Sequence, residues 1–219
     1  AAQTPPGEWV MGYMYDDTKL SEGRPLNRAD LDEAVPNHPA LVGHRGGHTG
    51  VVNSAAFRVA GISMATPDPQ GGQIYREGGE LTGKLAENAF FMVSEHLPDV
   101  SSQEQRQAAI KRIGELMNQT GLTSVHETGS PSVAFRAYQD AHRAGELSFR
   151  AYVMPDTTSF PGMRDSGLMT GLGSDMLKIG AVKFVADGSA SERTMRMSTP
   201  YMGRPDDYGI LTMSQEEIH

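Results

Sequence analysis

The chain has 219 residues, 38% of them apolar and 21% charged, with a formal net charge of −8 and no cysteine. This composition fits a folded globular chain and not a disordered one, and no apolar run approaches the ~18 residues of a membrane span. The acidity speaks against a general nucleic-acid binder, and the lack of cysteine excludes disulfides and thiolate metal ligands from this segment, so a metal here would be held by nitrogen and oxygen.

Residues 1–100 are rich in glycine and proline and read as short strands broken by brief helices. Residues 8–15 form the first predicted strand. Asn27 is a helix N-cap with Asp30 in the first turn, and Pro36 ends the helix that Leu31 and Ala34 pattern. Leu41-Val42 is a short apolar run, followed by the loop His44-Arg45-Gly46-Gly47-His48. Asn53 opens a helix over 54–60, with Gly61 at its end. Residues 66–83 carry turn chemistry around a short strand at 73–76.

From Ser101 the pattern becomes regular. Ser101-Ser102-Gln103-Glu104 reads as a capping box, and Ala109, Ile110, Ile113, Leu116 and Met117 follow at helical spacing. Gly121 stops that helix, and residues 122–126 read as a strand. Ser130 or Ser132 opens a second helix through Phe135, Tyr138 and Ala141, stopped by Gly145. Strands are predicted at 147–154 and, after a Gly-rich connection, at 179–186. Helix–strand alternation of this kind predicts an α/β fold, a parallel sheet covered by helices. Ser214-Gln215-Glu216-Glu217 is another capping box, opening a helix that the sequence cuts off at His219. Three parallel strands also cannot close a barrel. Both points predict a chain that continues further. No signal peptide is legible, which favours the cytoplasm, although the chain begins at Ala1 rather than Met.

Active sites in parallel α/β folds gather at the carboxyl ends of strands. Three spots qualify: His126-Glu127, Arg150-Ala151-Tyr152, and the run from Lys183 to Gly188. Lys183 stands among Ile179, Ala181, Val182, Phe184 and Val185. A lysine in a buried strand is costly unless it is neutralised or paired. Carboxylation by carbon dioxide is one solution, giving an anionic carbamate that can bridge two divalent metals. An ion pair with a carboxylate such as Asp187 is the other. His44 and His48 are four apart, but Gly46 and Gly47 make the stretch a loop and not a helical metal pair. Asp16-Asp17 reads as a carboxylate pair or a surface turn. His126 either reaches a pocket or is a satisfied core histidine, and His142 is read as solvated. The sequence has no His-x-His, no His-Glu-x-x-His, no Gly-x-Ser-x-Gly and no phosphate-binding Gly-Lys-Ser/Thr.

Several segments carry a resemblance in a consistent order: Gly7-Glu8-Trp9-Val10-Met11-Gly12 with Tyr15-Asp16-Asp17; Asn27-Arg28-Ala29-Asp30-Leu31-Asp32; Gly47-His48 with Asn53-Ser54-Ala55-Ala56 and Ala60-Gly61-Ile62; Thr66-Pro67-Asp68-Pro69-Gln70-Gly71-Gly72 with Leu81-Thr82-Gly83 and Glu87; Gly121-Leu122-Thr123-Ser124-Val125-His126; and Val182-Lys183-Phe184-Val185-Ala186-Asp187-Gly188-Ser189. Together they resemble the amidohydrolase-3 family of the metal-dependent amidohydrolase superfamily, which includes N-substituted formamide deformylases. The resemblance implies an internal fragment of a (β/α)8 TIM barrel. Residues 1–100 would be a long β-rich insertion between barrel strands one and two, and residues 101–219 would hold strands two to four. It implies hydrolysis of a non-peptide C–N bond in a small amide or formamide, assisted by a divalent metal, zinc by preference. Lys183 is then a metal ligand, and His48, Asn53, Arg150 and Asp187 are substrate-binding candidates. Many relatives have Asp where this chain has Glu127. The family's His-x-His would lie before residue 1, and its later histidines and aspartate after His219. The 219 residues alone are therefore expected to be inactive, and their open barrel edges to make them poorly soluble. No nucleic-acid partner is expected, and homo-oligomer formation is left open. The alternative is a non-catalytic small-molecule-binding protein on the same scaffold.

Overall fold

Side-chain caps decide where several of the helices begin. Asn27 accepts from the Asp30 N–H while Asp30 accepts from the Asn27 N–H, a closed capping box ahead of α1 (Arg28–Ala34). Ser102 and Gln105 form a second box, one residue later than the sequence pattern suggested. The Ser214–Glu217 box is also formed and opens a last helical turn, Gln215–Ile218. The computed structural model describes residues 3–99 and 101–218; Ala1 and His219, on which the expectation of a longer chain leaned, lie outside the described residues. Among the described residues no helix is long and apolar enough to cross a membrane.

The chain divides into two compact units, one of Ala1–Pro98 with Val185–His219 and one of Asp99–Phe184. The sequence reading places a boundary near residue 100. Residues 185–219, grouped with the later strands on sequence grounds, cluster with the first unit.

In the first unit β1 (Val10–Tyr15), β2 (Ala40–His44), β3 (Thr49–Val52), β4 (Gly72–Glu77) and β5 (Glu80–Glu87) make a mixed sheet in the order β1-β2-β3-β5-β4. Only β1 and β2 run parallel; the other neighbours are antiparallel. Gly78 and Gly79, both at positive φ, turn β4 into β5 with Glu77 opposite Glu80. Two positive φ values in a two-residue loop give the primed turn that suits strand twist. Two short helices, α2 (Ser54–Val59) and α3 (Asn88–Ser94), complete the unit's core. Leu41, Val52, Phe57, Ile74, Leu85 and Val93 form its centre, each such side chain contributing about 1.5–3 kcal/mol of burial.

The second unit holds α4 (Gln103–Gln119), β6 (Ser124–Ser130), α5 (Ser132–Arg143), β7 (Arg150–Pro155), α6 (Phe160–Asp165) and β8 (Leu177–Ile179), with the parallel order β6-β7-β8. Pro131, not a serine, occupies the N-cap of α5. Alternation sorts the strand residues by face. Val125, Ala151, Val153 and Leu177 pack with Ile110, Ala137, Tyr138 and Ala141 of the helices. The opposite face of β6 carries Ser124, His126 and Thr128, all exposed. Gly114 lets α4 approach the sheet, since a Cβ there would lie 2.6 Å from Ser148 Oγ and 2.9 Å from the Phe149 ring.

The predicted strand at 179–186 is corrected. Strand pairing stops at Ile179, residues 180–186 are irregular, and Lys183 is exposed rather than buried. Gly180 N–H donates to Val153 O (2.7 Å), and the next bond on β7 is made by Lys183 N–H to Pro155 O (2.9 Å). Three residues on this side span two on β7, so one residue bulges out of step. Pro155 has no N–H to return, which ends the ladder. The intervening Ala181 N–H is taken by the Tyr152 hydroxyl at 3.1 Å. The apolar run read as a buried strand is instead a chain following the sheet's edge.

Candidate functional site

The loop between β2 and β3 is held by a network of polar contacts. The two strands pair up to Gly43 opposite Gly50, which leaves the residues between to form a tight hairpin end. Two buried glutamates hold it. Glu192, 7% exposed, accepts from the His48 N–H (3.2 Å) and from Thr49 Oγ1 (2.5 Å). A Cβ at Gly46 would overlap the Glu192 carboxylate, so a larger residue there would displace it. Glu87, 2% exposed, places Oε2 at 2.8 Å from His48 Nδ1, and its N–H donates to the His48 carbonyl at 2.8 Å. Glu87 Oε1 is buried and has no hydrogen-bond partner among the described residues. The His48 side chain is 28% exposed.

His44, at the other end of the loop, is buried. Its Nδ1 accepts the Gly46 N–H (3.2 Å) and its Nε2 lies 3.7 Å from Asp17. Asp16, Asp17 and His44 bring donor atoms within 4.8 Å of one another. Their geometry suits a cation, but Asp16 is already committed. It accepts from the Thr18 N–H and hydroxyl (3.1 and 2.6 Å) and faces Arg45 Nε at 2.7 Å. The Thr18 hydroxyl above all, with Arg45 adding its charge, holds the Asp16 carboxyl well down, to about 2. Asp16 is thus the cap of the turn Asp17–Lys19, the turn reading of the sequence, though buried and not on the surface. A small pocket of about 30 Å³ opens here between Tyr15, His44, Thr49, Lys84 and Glu192. Burial pulls the Lys84 ammonium below its ordinary value, and Nζ rests 4.6 Å from the Tyr75 ring centre.

The substrate-binding candidates separate. Asn53 is fully buried. Its Oδ1 accepts from Ala40 N and Ala56 N (3.0 and 2.9 Å), and its Nδ2 donates to His38 O at 2.8 Å. Its amide is spent on holding β2 and capping α2. Arg150 pairs with Ser124 at the amino end of the parallel sheet. Lys183 is level with Pro155 at the carboxyl end, five residues or about 16 Å further along the strand. Arg150 and Lys183 therefore do not share a site. Asp187 uses Oδ2 to accept the Arg196 N–H at 2.9 Å.

In the second unit, Lys183 runs past the carboxyl ends of β6 and β7. A Cβ at Gly129 would lie 3.8 Å from Lys183 Cγ. His126 is mid-strand rather than at a strand end, because β6 continues to Ser130, and its ring lies 4.8 Å from that of Tyr152 on the open face. Glu127 points the other way and accepts from the Tyr138 hydroxyl at 3.1 Å. Burial first, then the Glu127 charge, pushes the Tyr138 phenol up. His142 is not simply solvated: its Nε2 lies 3.0 Å from Ser174 Oγ.

Two glutamates central to the loop, Glu87 and Glu192, were not singled out as site residues from sequence. For Glu87 a signal exists: it ends the run Leu85-Ala86 in phase with Leu85, and a carboxylate in step with a buried strand face needs a partner. Glu192 lies 144 residues from His48 and has no local signal.

A helix-backed parallel sheet with a lysine at its carboxyl edge, together with a separate mixed sheet, makes this a mixed α/β chain of the kind that metal-dependent hydrolases share. The chain belongs to the amidohydrolase family, whose model matches residues 1–219. It is 30% identical over 222 residues to YtcJ of Bacillus subtilis, named as an amidohydrolase, covering 99% of this chain and 41% of that protein. It is 31% identical over 167 residues to the N-substituted formamide deformylase of Arthrobacter pascens, covering 74% of this chain and 31% of that enzyme. Among solved structures, an uncharacterised metal-dependent hydrolase of Pyrococcus horikoshii superposes with a TM-score of 0.64 at 26% identity, over 97% of this chain and 41% of that one. The chain thus spans well under half of each of these relatives.

Proposed function

We propose that this chain is part of a metal-dependent hydrolase that cleaves a carbon–nitrogen bond other than a peptide bond, in a small amide or formamide. The observation that carries the reading is the family match along residues 1–219 combined with the position of Lys183 beside the carboxyl ends of β6 and β7. Carboxyl ends are where parallel α/β folds keep their chemistry. The relative named as a formamide deformylase supports the bond type.

In this reading β6, β7 and β8 are an arc of a (β/α)8 barrel, strands two to four. The support is a sheet backed by helices on one face only, with His126 and Thr128 exposed on the other. Residues 1–100 are the insertion between barrel strands one and two, with His48 as a substrate-binding candidate. Lys183, once carboxylated, would be one of the ligands that hold the metal.

Lys183 fits that role in one respect: its exposure leaves the amine accessible to carbon dioxide and to an ion. It is a single ligand, whereas a zinc site takes three or four, so residues outside this chain supply the rest and the 219 residues alone are inactive. Zinc, when bound, supplies a water of pKa near ~7 and a polarised carbonyl.

The test is Lys183→Ala in the complete enzyme, with metal content and hydrolysis of an N-substituted formamide measured together. Loss of both is expected. Unchanged metal content and unchanged turnover would remove Lys183 from the site.

A further inference from the structure

We propose that the second unit binds a carboxylate with an apolar tail, the head held at the N-terminus of α5 and the tail lying in the cavity between α5 and the chain that runs through α6.

That cavity measures about 500 Å³, within the ~300–1,000 Å³ typical of small-molecule sites. Phe135, Pro155, Met163, Leu168, Leu172 and Ile179 give it apolar walls. A second cavity of about 350 Å³ shares Phe135, Gln139, Leu172 and Ile179 with the first and reaches His142. Together they follow α5 from Ser132 to His142, about 15 Å at ~1.5 Å of helix per residue. A groove of that length suits an extended alkyl chain.

The groups for a head lie at one end. Ser130 and Ser132, on either side of the Pro131 N-cap, both line the first cavity. Ser130 is 2% exposed, and its hydroxyl oxygen has no hydrogen-bond partner among the described residues. A buried hydroxyl in that state is costly, and a molecule bound in the cavity supplies the missing partner. Proline has no side-chain acceptor, so α5 begins without a side-chain cap, and its first N–H groups have no partner inside the helix. Those N–H groups and the positive end of the helix dipole attract an anion. Arg136 follows Ser132 by one turn on the same face of α5 and lines the cavity as well. It gives Nε to both oxygens of Asp140 at 3.1 Å, which leaves its two terminal nitrogens for a ligand. No acidic side chain lines the first cavity among the described residues, so its local charge is positive in a chain of net −8. Donors and positive charge at one end, with apolar walls beyond, select an amphiphilic anion over a neutral or cationic one.

The test is calorimetric titration of the complete protein with octanoate, octylammonium and butanoate. Octanoate should bind to a single site with a sub-millimolar Kd. Octylammonium, with the wrong charge, and butanoate, with too short a tail, should each bind at least about tenfold more weakly. Leu172→Trp, which fills the wall common to both cavities, should weaken octanoate about tenfold or more. Arg136→Gln, at an exposed position, should weaken octanoate and leave octylammonium unchanged. Ser130→Ala should weaken octanoate without lowering the thermal midpoint, because no bond within the protein is lost. Wild-type protein with no saturable octanoate binding overturns the proposal, and so does octylammonium binding as tightly as octanoate. Octanoate affinity unchanged in both Ser130→Ala and Arg136→Gln overturns it too, since the ligand then sits elsewhere.

Discussion

The backbone N–H of Lys183 donates to the Pro155 carbonyl at 2.9 Å, so the main chain sets the place of this residue and its side chain does not. The side chain is also exposed. Lys183→Ala and Lys183→Met should therefore change folding stability by less than about 0.5 kcal/mol, the usual range for exposed positions. Urea unfolding of the complete protein checks this. A loss of several kcal/mol would mean that Lys183 supports the fold, and any fall in activity could no longer be read as lost chemistry.

Asn53 makes the opposite prediction. Asn53→Ala removes the α2 cap, worth about 1 kcal/mol. It also strips partners from Ala40 N and His38 O, and each buried group left unpaired costs about 1–3 kcal/mol. A destabilisation of at least about 3 kcal/mol is expected. Asn27→Ala, which loses an N-cap at a less buried helix start, should cost about 1 kcal/mol. Equal effects in chemical denaturation would show that the Asn53 network carries little.

The contrast between these residues shows what was legible in the sequence. Helix starts were readable because capping is local: Asn27 with Asp30, and Asn53 ahead of Ser54, announce themselves within four residues. The strands β6 and β7 were readable as apolar runs between helices. The strands β3 and β5 were not: Thr49-Gly50-Val51-Val52 is too short a run to stand out beside the glycine loop, and the stretch up to Gly83 reads as turn. The run at 179–186 misled in the other direction, since apolar composition does not report whether a partner strand is there to pair. At the site, His48 stood out as a histidine in a glycine loop. Its partners lie 39 and 144 residues away, and no window of local sequence joins them.

Asp16 gives a pH prediction. Its carboxyl is held at about 2, below the ordinary 3.8, chiefly by the Thr18 hydroxyl and further by Arg45. The folded state thus prefers the ionised form. The stabilisation is complete above pH 3.8 and is lost as the pH falls through about 2. The gap in thermal midpoint between wild type and Asp16→Asn should be constant from pH 7 down to about 4 and close between there and 2. A gap that persists at pH 2 would trace the effect to shape and not to charge.

Gly83 and Gly79 both sit on β5 or its turn at positive φ, +94° and +82°, but only one is crowded. Around Gly79 nothing lies within 4 Å of a built Cβ, whereas at Gly83 that atom would meet Arg28 N and Val52 O at 2.7 Å. Gly79→Ala should therefore cost only the conformational penalty, about 1–2 kcal/mol. Gly83→Ala adds overpacking, typically 1–3 kcal/mol, because backbone on both sides must shift: the first residue of α1 and the last of β3. A total of about 3 kcal/mol or more is expected for Gly83→Ala. Since Gly83 shares β5 with Glu87 and meets Val52 of β3, the same substitution should also disturb the His48 resonances, which Gly79→Ala should leave in place. Comparable losses from the two variants, with His48 unmoved in both, would show that the close approach of α1 and β3 at Gly83 does not tension the loop.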